Sequence, residues 1–134
     1  MKKDFVLILT LLLFFCCKST TPINEENGVK ITDIEKHYLL SNLDSEKYYI
    51  IKLIRKLQSE KKLGEFPMII VDGDPKYYYY KEEIKPLNIE LNKIRKLKIL
   101  DAKTCVQTFG AACKYGLITI STYGTQEKLP YHNR

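Results

Sequence analysis

The most regular alternation of apolar and polar positions lies in residues 46–63. Apolar side chains recur there at i, i+3, i+4 and i+7, in the order Ile50, Leu53, Ile54 and Leu57. This spacing lies on one face of an α-helix, so it predicts an amphipathic helix over 46–63. Asp44 or Ser45 can cap its start, and Gly64 follows its end, where a left-handed residue commonly closes a helix.

Three short runs of aliphatic and β-branched residues predict strands at 66–71, 95–100 and 117–122. In the second run, Leu97 and Ile99 alternate with lysines, which is typical of a sheet with one solvated face. Residues 102–109 have helical length, with Asp101 as a cap and Gly110 at the end. The expected fold class is α/β in the α+β sense, a small mixed sheet of three to four strands with two or three helices.

The two flanking regions have weaker patterns. Apolar residues in 29–43 recur at helical intervals and predict a short helix that contains His37. Residues 123–134 are polar and contain a proline and His132, which predicts a mobile tail. Each histidine has no second ligand at metal spacing, so we interpret both as surface or packing residues.

The N-terminus has the pattern of an export signal. Lys2 and Lys3 precede an apolar run over 5–15, which is too short to span a bilayer as a mature helix. The run ends in Phe15-Cys16-Cys17, which resembles the cleavage box of bacterial lipoproteins.

In that class the cysteine after the cleavage point carries diacylglycerol and becomes the new N-terminus. We expect Cys17 to be lipidated, because the small Cys16 precedes it whereas the bulky Phe15 precedes Cys16. Lys18 follows in place of aspartate, which by this resemblance favours outer-membrane sorting. The chain is therefore expected to begin with a signal peptide at 1–16, followed at 17–44 by the lipidated cysteine, a flexible tether and a short helix. A folded domain is expected at 45–124 and a polar tail at 125–134.

Asp72-Gly73-Asp74-Pro75 follows the first predicted strand and has the composition of a turn. Two aspartates two residues apart also fit an ion site or a catalytic pair. No third oxygen ligand follows at calcium-loop spacing, so we interpret the segment as a turn.

The sequence contains ten tyrosines and no tryptophan. Four of the tyrosines are consecutive, namely Tyr77, Tyr78, Tyr79 and Tyr80. In a strand they would point alternately to the two faces, two inward and two outward. The outward pair is a candidate contact surface, because tyrosine is enriched at interfaces.

Cys105 and Cys113 lie eight residues apart. An exported chain reaches an oxidising compartment, where a disulfide is permitted. The alternative is two small buried thiols, and the sequence leaves both open because a bridge needs Cα atoms within about 7 Å. A metal site or an activated thiol is not indicated, because no further cysteine or histidine stands at suitable spacing.

The formal net charge of +6 fits an anionic lipid surface, but a solvated lysine-rich surface is the more common reason. Nucleic-acid binding is disfavoured, because the charge accompanies an export signal. The sequence shows no acid–base pair, activated nucleophile or phosphate-binding loop at credible spacing. We therefore expect no enzymatic activity and no cofactor.

Three segments carry a family resemblance when they are taken in order. They read PMIIVDGDP at 67–75, I-x-x-L-x-ILDA at 94–102 and FG-x5-GLI-x-I-x-T at 109–122. This series resembles the plug domain of TonB-dependent outer-membrane transporters. The turn and loop positions of the family motif are Asp72, Gly73, Pro75, Phe109, Gly110 and Gly116.

The resemblance implies a small mixed α/β sheet without a cofactor and without catalysis. Twelve residues follow Thr122, so we expect no transport barrel in this chain.

The leading hypothesis is a non-enzymatic lipoprotein, anchored in the outer membrane, with a plug-like interaction domain accessory to TonB-dependent transport. Its expected partners are membrane lipid, through the acylated N-terminus, and an outer-membrane protein. The alternative is a small-ligand-binding lipoprotein that uses the tyrosines as a platform.

Overall fold

The computed structural model describes residues 28–77 and 86–132, and the compact unit that contains the helices and strands begins at Ile31. Within the described residues, the α-helices are α1 (Tyr49–Ser59) and α2 (Ala102–Phe109). The strands are β1 (Met68–Val71), β2 (Asp74–Tyr77), β3 (Lys96–Leu100) and β4 (Leu117–Ser121). Short 3₁₀ turns cover Ile34–Tyr38, Ser45–Tyr48, Leu91–Lys93 and Ala111–Cys113.

The four strands form one mixed sheet in the order β2-β1-β4-β3. β4 pairs with β1 in parallel and with β3 in antiparallel orientation, and β1 pairs with β2 as a hairpin. The predicted α+β class with a mixed sheet is therefore confirmed. The predicted strands over 66–71, 95–100 and 117–122 are also found, each shortened by one or two residues at one end.

One face of the sheet forms the main core. Ile118 of β4 lies beside Ile69 of β1 on one side and Ile99 of β3 on the other. The α1 helix buries an equally apolar surface, made of Tyr49, Ile50, Ile51, Leu53, Ile54 and Leu57. Both surfaces are withdrawn from water, and this burial is the main source of stability in a domain of this size.

The opposite face carries a second, smaller core under α2. Cys105 and Cys113 are buried there with Leu117, and Met68, Ile70 and Leu100 pack against them. β3 alternates as its pattern predicts, since Leu97 points into the main core while Lys98 is exposed on the α2 side.

The end of α1 differs from the prediction. The helix stops at Ser59, and Lys61, with φ of 58°, adopts the left-handed conformation that the sequence pattern assigns to Gly64. Gly64 serves a different purpose, because a Cβ there would lie 2.6 Å from the ring of Tyr115. The glycine is needed for close packing, and its N–H donates to the Tyr115 carbonyl at 2.9 Å.

The turn after β1 is shorter than the predicted four residues. Asp72 and Gly73 have φ of 52° and 85°, and Asp74 already pairs with Val71. A two-residue hairpin loop with both φ values positive matches the Asp-Gly preference of type I′ turns. Pro75 lies in β2, an edge strand, where its missing N–H is tolerated.

Both flanking regions contribute described residues to the folded unit, at 31–43 and 123–132, whereas the expected domain covers 45–124. The helix predicted in 29–43 is a 3₁₀ turn at Ile34–Tyr38, and the Tyr38 hydroxyl donates to the Pro67 carbonyl at 2.9 Å. The predicted mobile tail is docked, because Leu129 is buried and the Tyr49 hydroxyl donates to the Pro130 carbonyl at 2.6 Å.

Gly116 stands at the start of β4 with φ of 90°. A Cβ at this position would overlap the Leu63 side chain and lie 3.0 Å from the Leu100 carbonyl oxygen. Its own carbonyl accepts the Met68 N–H at 2.9 Å, which aligns β1 with β4. Both its conformation and its surroundings therefore require glycine.

We expect Gly116→Ala to destabilise the fold more than Gly124→Ala, a matched control with φ of 92° and nothing within 4 Å of its Cβ. The control should lose about 1–2 kcal/mol from backbone strain alone. Overlap should raise the loss at Gly116 to about 3 kcal/mol or more. Urea unfolding followed by circular dichroism measures both, and equal losses would contradict the close approach.

Candidate functional site

The most exposed apolar group on a regular element lies on α2. Val106 is 42% exposed and Phe109 is 60% exposed, and the two stand three residues apart on one side of the helix. Ala111 and Ala112, in the turn that follows, are also exposed. We call Val106, Phe109, Ala111 and Ala112 the α2 tip.

The α2 tip is held at both ends. The Asp101 carboxylate caps the helix by accepting the Thr104 N–H at 2.9 Å and the Thr104 hydroxyl at 2.8 Å. Gly110, with φ of 76°, ends the helix and reverses the chain. Cys105 and Cys113 form a disulfide with Cα atoms 5.5 Å apart, which resolves the open question in favour of the bridge. The tip is thus a closed loop over the smaller core.

The charged residues within the chain segment of the α2 tip are positive. Lys103 and Lys114 are the charged residues between positions 102 and 116. The Lys114 ammonium lies 4.7 Å from the centre of the Tyr115 ring, which itself packs edge-on against Phe66 at 5.2 Å. The tip is therefore apolar in the middle and cationic at its base.

The predicted turn residue Asp72 has a specific partner at the other end of β4. Its carboxylate accepts the Thr122 N–H at 2.8 Å and the Thr122 hydroxyl at 2.6 Å. These two bonds hold the pKa of Asp72 below its ordinary value, because they favour the ionised form. The hairpin turn is thereby fastened to the end of β4.

The two aspartates of the turn do not act as a pair. Asp74 forms an ion pair with Lys76 at 2.5 Å, whereas Asp72 bonds to Thr122. Among residues 28–77 and 86–132, no three histidine, cysteine or acidic side chains come together as metal ligands would.

Of the four consecutive tyrosines, Tyr77 lies within the described residues. Tyr77 is buried, so it does not belong to an exposed contact surface. Its ring stacks on His37 at 4.1 Å and meets Tyr38 edge-on at 5.3 Å, and burial raises its pKa. Tyr78, Tyr79 and Tyr80 lie outside the described residues, as do Cys17 and the predicted signal peptide.

A groove of about 500 Å³ runs beside the docked tail, and the sequence reasoning missed it. The Arg95 guanidinium donates to the Gln126 side chain at 3.1 Å, and Lys128 and His132 also line the groove. Glu127 also lines the groove, so its wall carries both cations and a carboxylate. The residues that anchor the tail, Tyr49 and Arg95, are distant from it in sequence. The local sequence pattern therefore could not show that the tail is docked.

Comparison of the chain with protein-family models, curated proteins and solved structures found no match. In the part of the chain that the structure describes, no helix has the length and apolarity needed to cross a bilayer.

The Asp72–Thr122 contact predicts a definite pH dependence. The pKa of Asp72 is lowered in the folded state, so its carboxylate adds stability above the unfolded-state pKa and loses it as pH falls through the folded pKa. Thr122→Val removes the hydroxyl donor and should raise the pKa of Asp72 towards its ordinary value of 3.8, as measured by carboxyl carbon NMR.

The matched control is Thr119→Val, three residues earlier and within β4. It should leave the Asp72 titration unchanged. The stability difference between wild type and Thr122→Val should also shrink as pH falls below about 4. An Asp72 pKa that does not respond to Thr122→Val would contradict the contact.

Proposed function

We propose that this chain is a non-enzymatic lipoprotein of the outer membrane, with a plug-like interaction domain accessory to TonB-dependent transport. The observation that carries the proposal is the single sheet in which the three plug-like segments meet, with β4 between β1 and β3.

The arrangement of the family-like segments supports the plug-like part of the proposal. The Asp72-Gly73 turn, β3 and the strand after Gly116 lie in one sheet, with β4 between β1 and β3. The side chain of Asp72 joins the first of these segments to the last, through Thr122. Segments far apart in sequence therefore form one unit, as a shared domain motif requires.

The anchor is proposed from the sequence. Cys17 would carry the lipid, and residues 18–27 would connect it to the described domain. Ten residues span at most about 35 Å, so an anchored domain stays close to the bilayer surface.

A small-ligand-binding lipoprotein is the second candidate, and the groove beside Arg95 and Lys128 favours it. Its wall carries Arg95, Lys128 and Glu127, so it suits a small polar ligand rather than a ligand stacked on a tyrosine platform. The two candidates share the anchor and differ in the partner.

We expect Cys17→Ser to lose lipidation, because serine has no thiol to receive the diacylglycerol. The matched control is Cys16→Ser, which changes the neighbouring residue and leaves the acceptor intact. Membrane fractionation and the mass of the N-terminal peptide, measured in the native host, should show a released Cys17→Ser protein and a lipidated control. Equal release of the two proteins would contradict Cys17 as the anchor.

The same two variants test the accessory role. After cross-linking in the host, wild type and Cys16→Ser should co-purify with a TonB-dependent barrel, and Cys17→Ser should not. Residues 1–27 fused to an unrelated domain control for capture by the anchor alone. Recovery of no barrel above that control would overturn the accessory role and favour the ligand-binding candidate.

A further inference from the structure

The α2 tip is a small apolar surface rather than a scattered exposure. Val106 and Phe109 share one side of the helix, and Ala111 and Ala112 follow Phe109 with only Gly110 between them. Isolated exposed apolar residues are ordinary, whereas a group of neighbouring ones on a closed loop is a candidate contact surface.

The charges next to the α2 tip indicate that its binding partner is anionic. Lys103 precedes the tip and Lys114 follows it. The nearest carboxylate in the segment, Asp101, is engaged by the N–H and hydroxyl of Thr104. Lys98 is exposed on the same side of the sheet, since it alternates with the inward-facing Leu97. A surface with apolar residues flanked by lysines complements an anionic bilayer.

The small size of the α2 tip also favours a bilayer over a protein as its partner. A stable protein–protein interface buries about 800 Å² on each partner. A fully buried aromatic side chain contributes only about 150–250 Å², so Phe109 and Val106 supply a fraction of that area. A shallow bilayer contact needs less, because an anchor already holds the domain at high effective concentration beside the lipid.

We propose that the α2 tip seats in the headgroup layer of an anionic bilayer, with Phe109 and Val106 in the acyl boundary and Lys103 and Lys114 at the phosphates. This inference rests on the anchored function, because the lipid at Cys17 supplies the proximity. The disulfide fixes the loop so that the tip enters the interface without first being ordered.

The absence of tryptophan from the sequence makes a direct test available. Phe109→Trp in the full lipidated protein places a single fluorophore on the tip. Leu43→Trp is the matched control, because Leu43 is 97% exposed and lies on a different loop. Both proteins are reconstituted into vesicles of phosphatidylethanolamine and phosphatidylglycerol, with and without brominated acyl chains, and vesicle flotation verifies attachment.

The expected result is a blue-shifted emission that brominated lipid quenches for Phe109→Trp, and a water-like unquenched emission for Leu43→Trp. Replacing Lys103 and Lys114 with glutamine should reduce the quenching while flotation persists. A floating Phe109→Trp protein whose fluorophore emits as in water would overturn the bilayer contact and leave the anchor standing. Failure of the protein to float would overturn the anchored function and this inference with it.

Discussion

The fold depends on one point where the chain leaves no room for a side chain. Gly116 opens the central strand β4, and a Cβ there would overlap Leu63, which follows α1, and press on the carbonyl of Leu100 in β3. Its N–H donates to the Cys113 carbonyl and its carbonyl accepts the Met68 N–H, both at 2.9 Å. The helices α1 and α2 and the strands β1, β3 and β4 are thus positioned relative to one residue.

The α2 tip inherits its rigidity from this junction. The turn that returns from the tip ends at Cys113, which is bonded to Cys105 by the disulfide and to Gly116 by the backbone. Phe109 and Val106 therefore project from a fixed base and lose little further freedom on making a contact. The same closed loop buries Cys105 and Cys113 in the smaller core and leaves Phe109 and Val106 exposed.

Local patterns predict the parts of the fold that local interactions determine. The α2 helix has its predicted limits because Asp101 and Gly110 both mark its ends. The docking of the tail escapes prediction because Pro130 is held by Tyr49, 81 positions away, and no local pattern records such a contact. The sequence pattern alone does not show which of the four tyrosines point inward, and Tyr77 is one of them because His37, in a 3₁₀ turn, stacks on its ring. The exposure of Phe109, a family-motif position, likewise could not be predicted from the sequence, because it depends on how α2 packs on the sheet.

The claim that this domain works by contact at the α2 tip is tested most directly in living cells. A benzophenone amino acid replaces Phe109 or, as a control, Leu43, and irradiation links it to whatever touches it. The account predicts lipid adducts from position 109 and none from position 43. Adducts from position 109 to protein alone, or lipid adducts of equal yield from both positions, would contradict it.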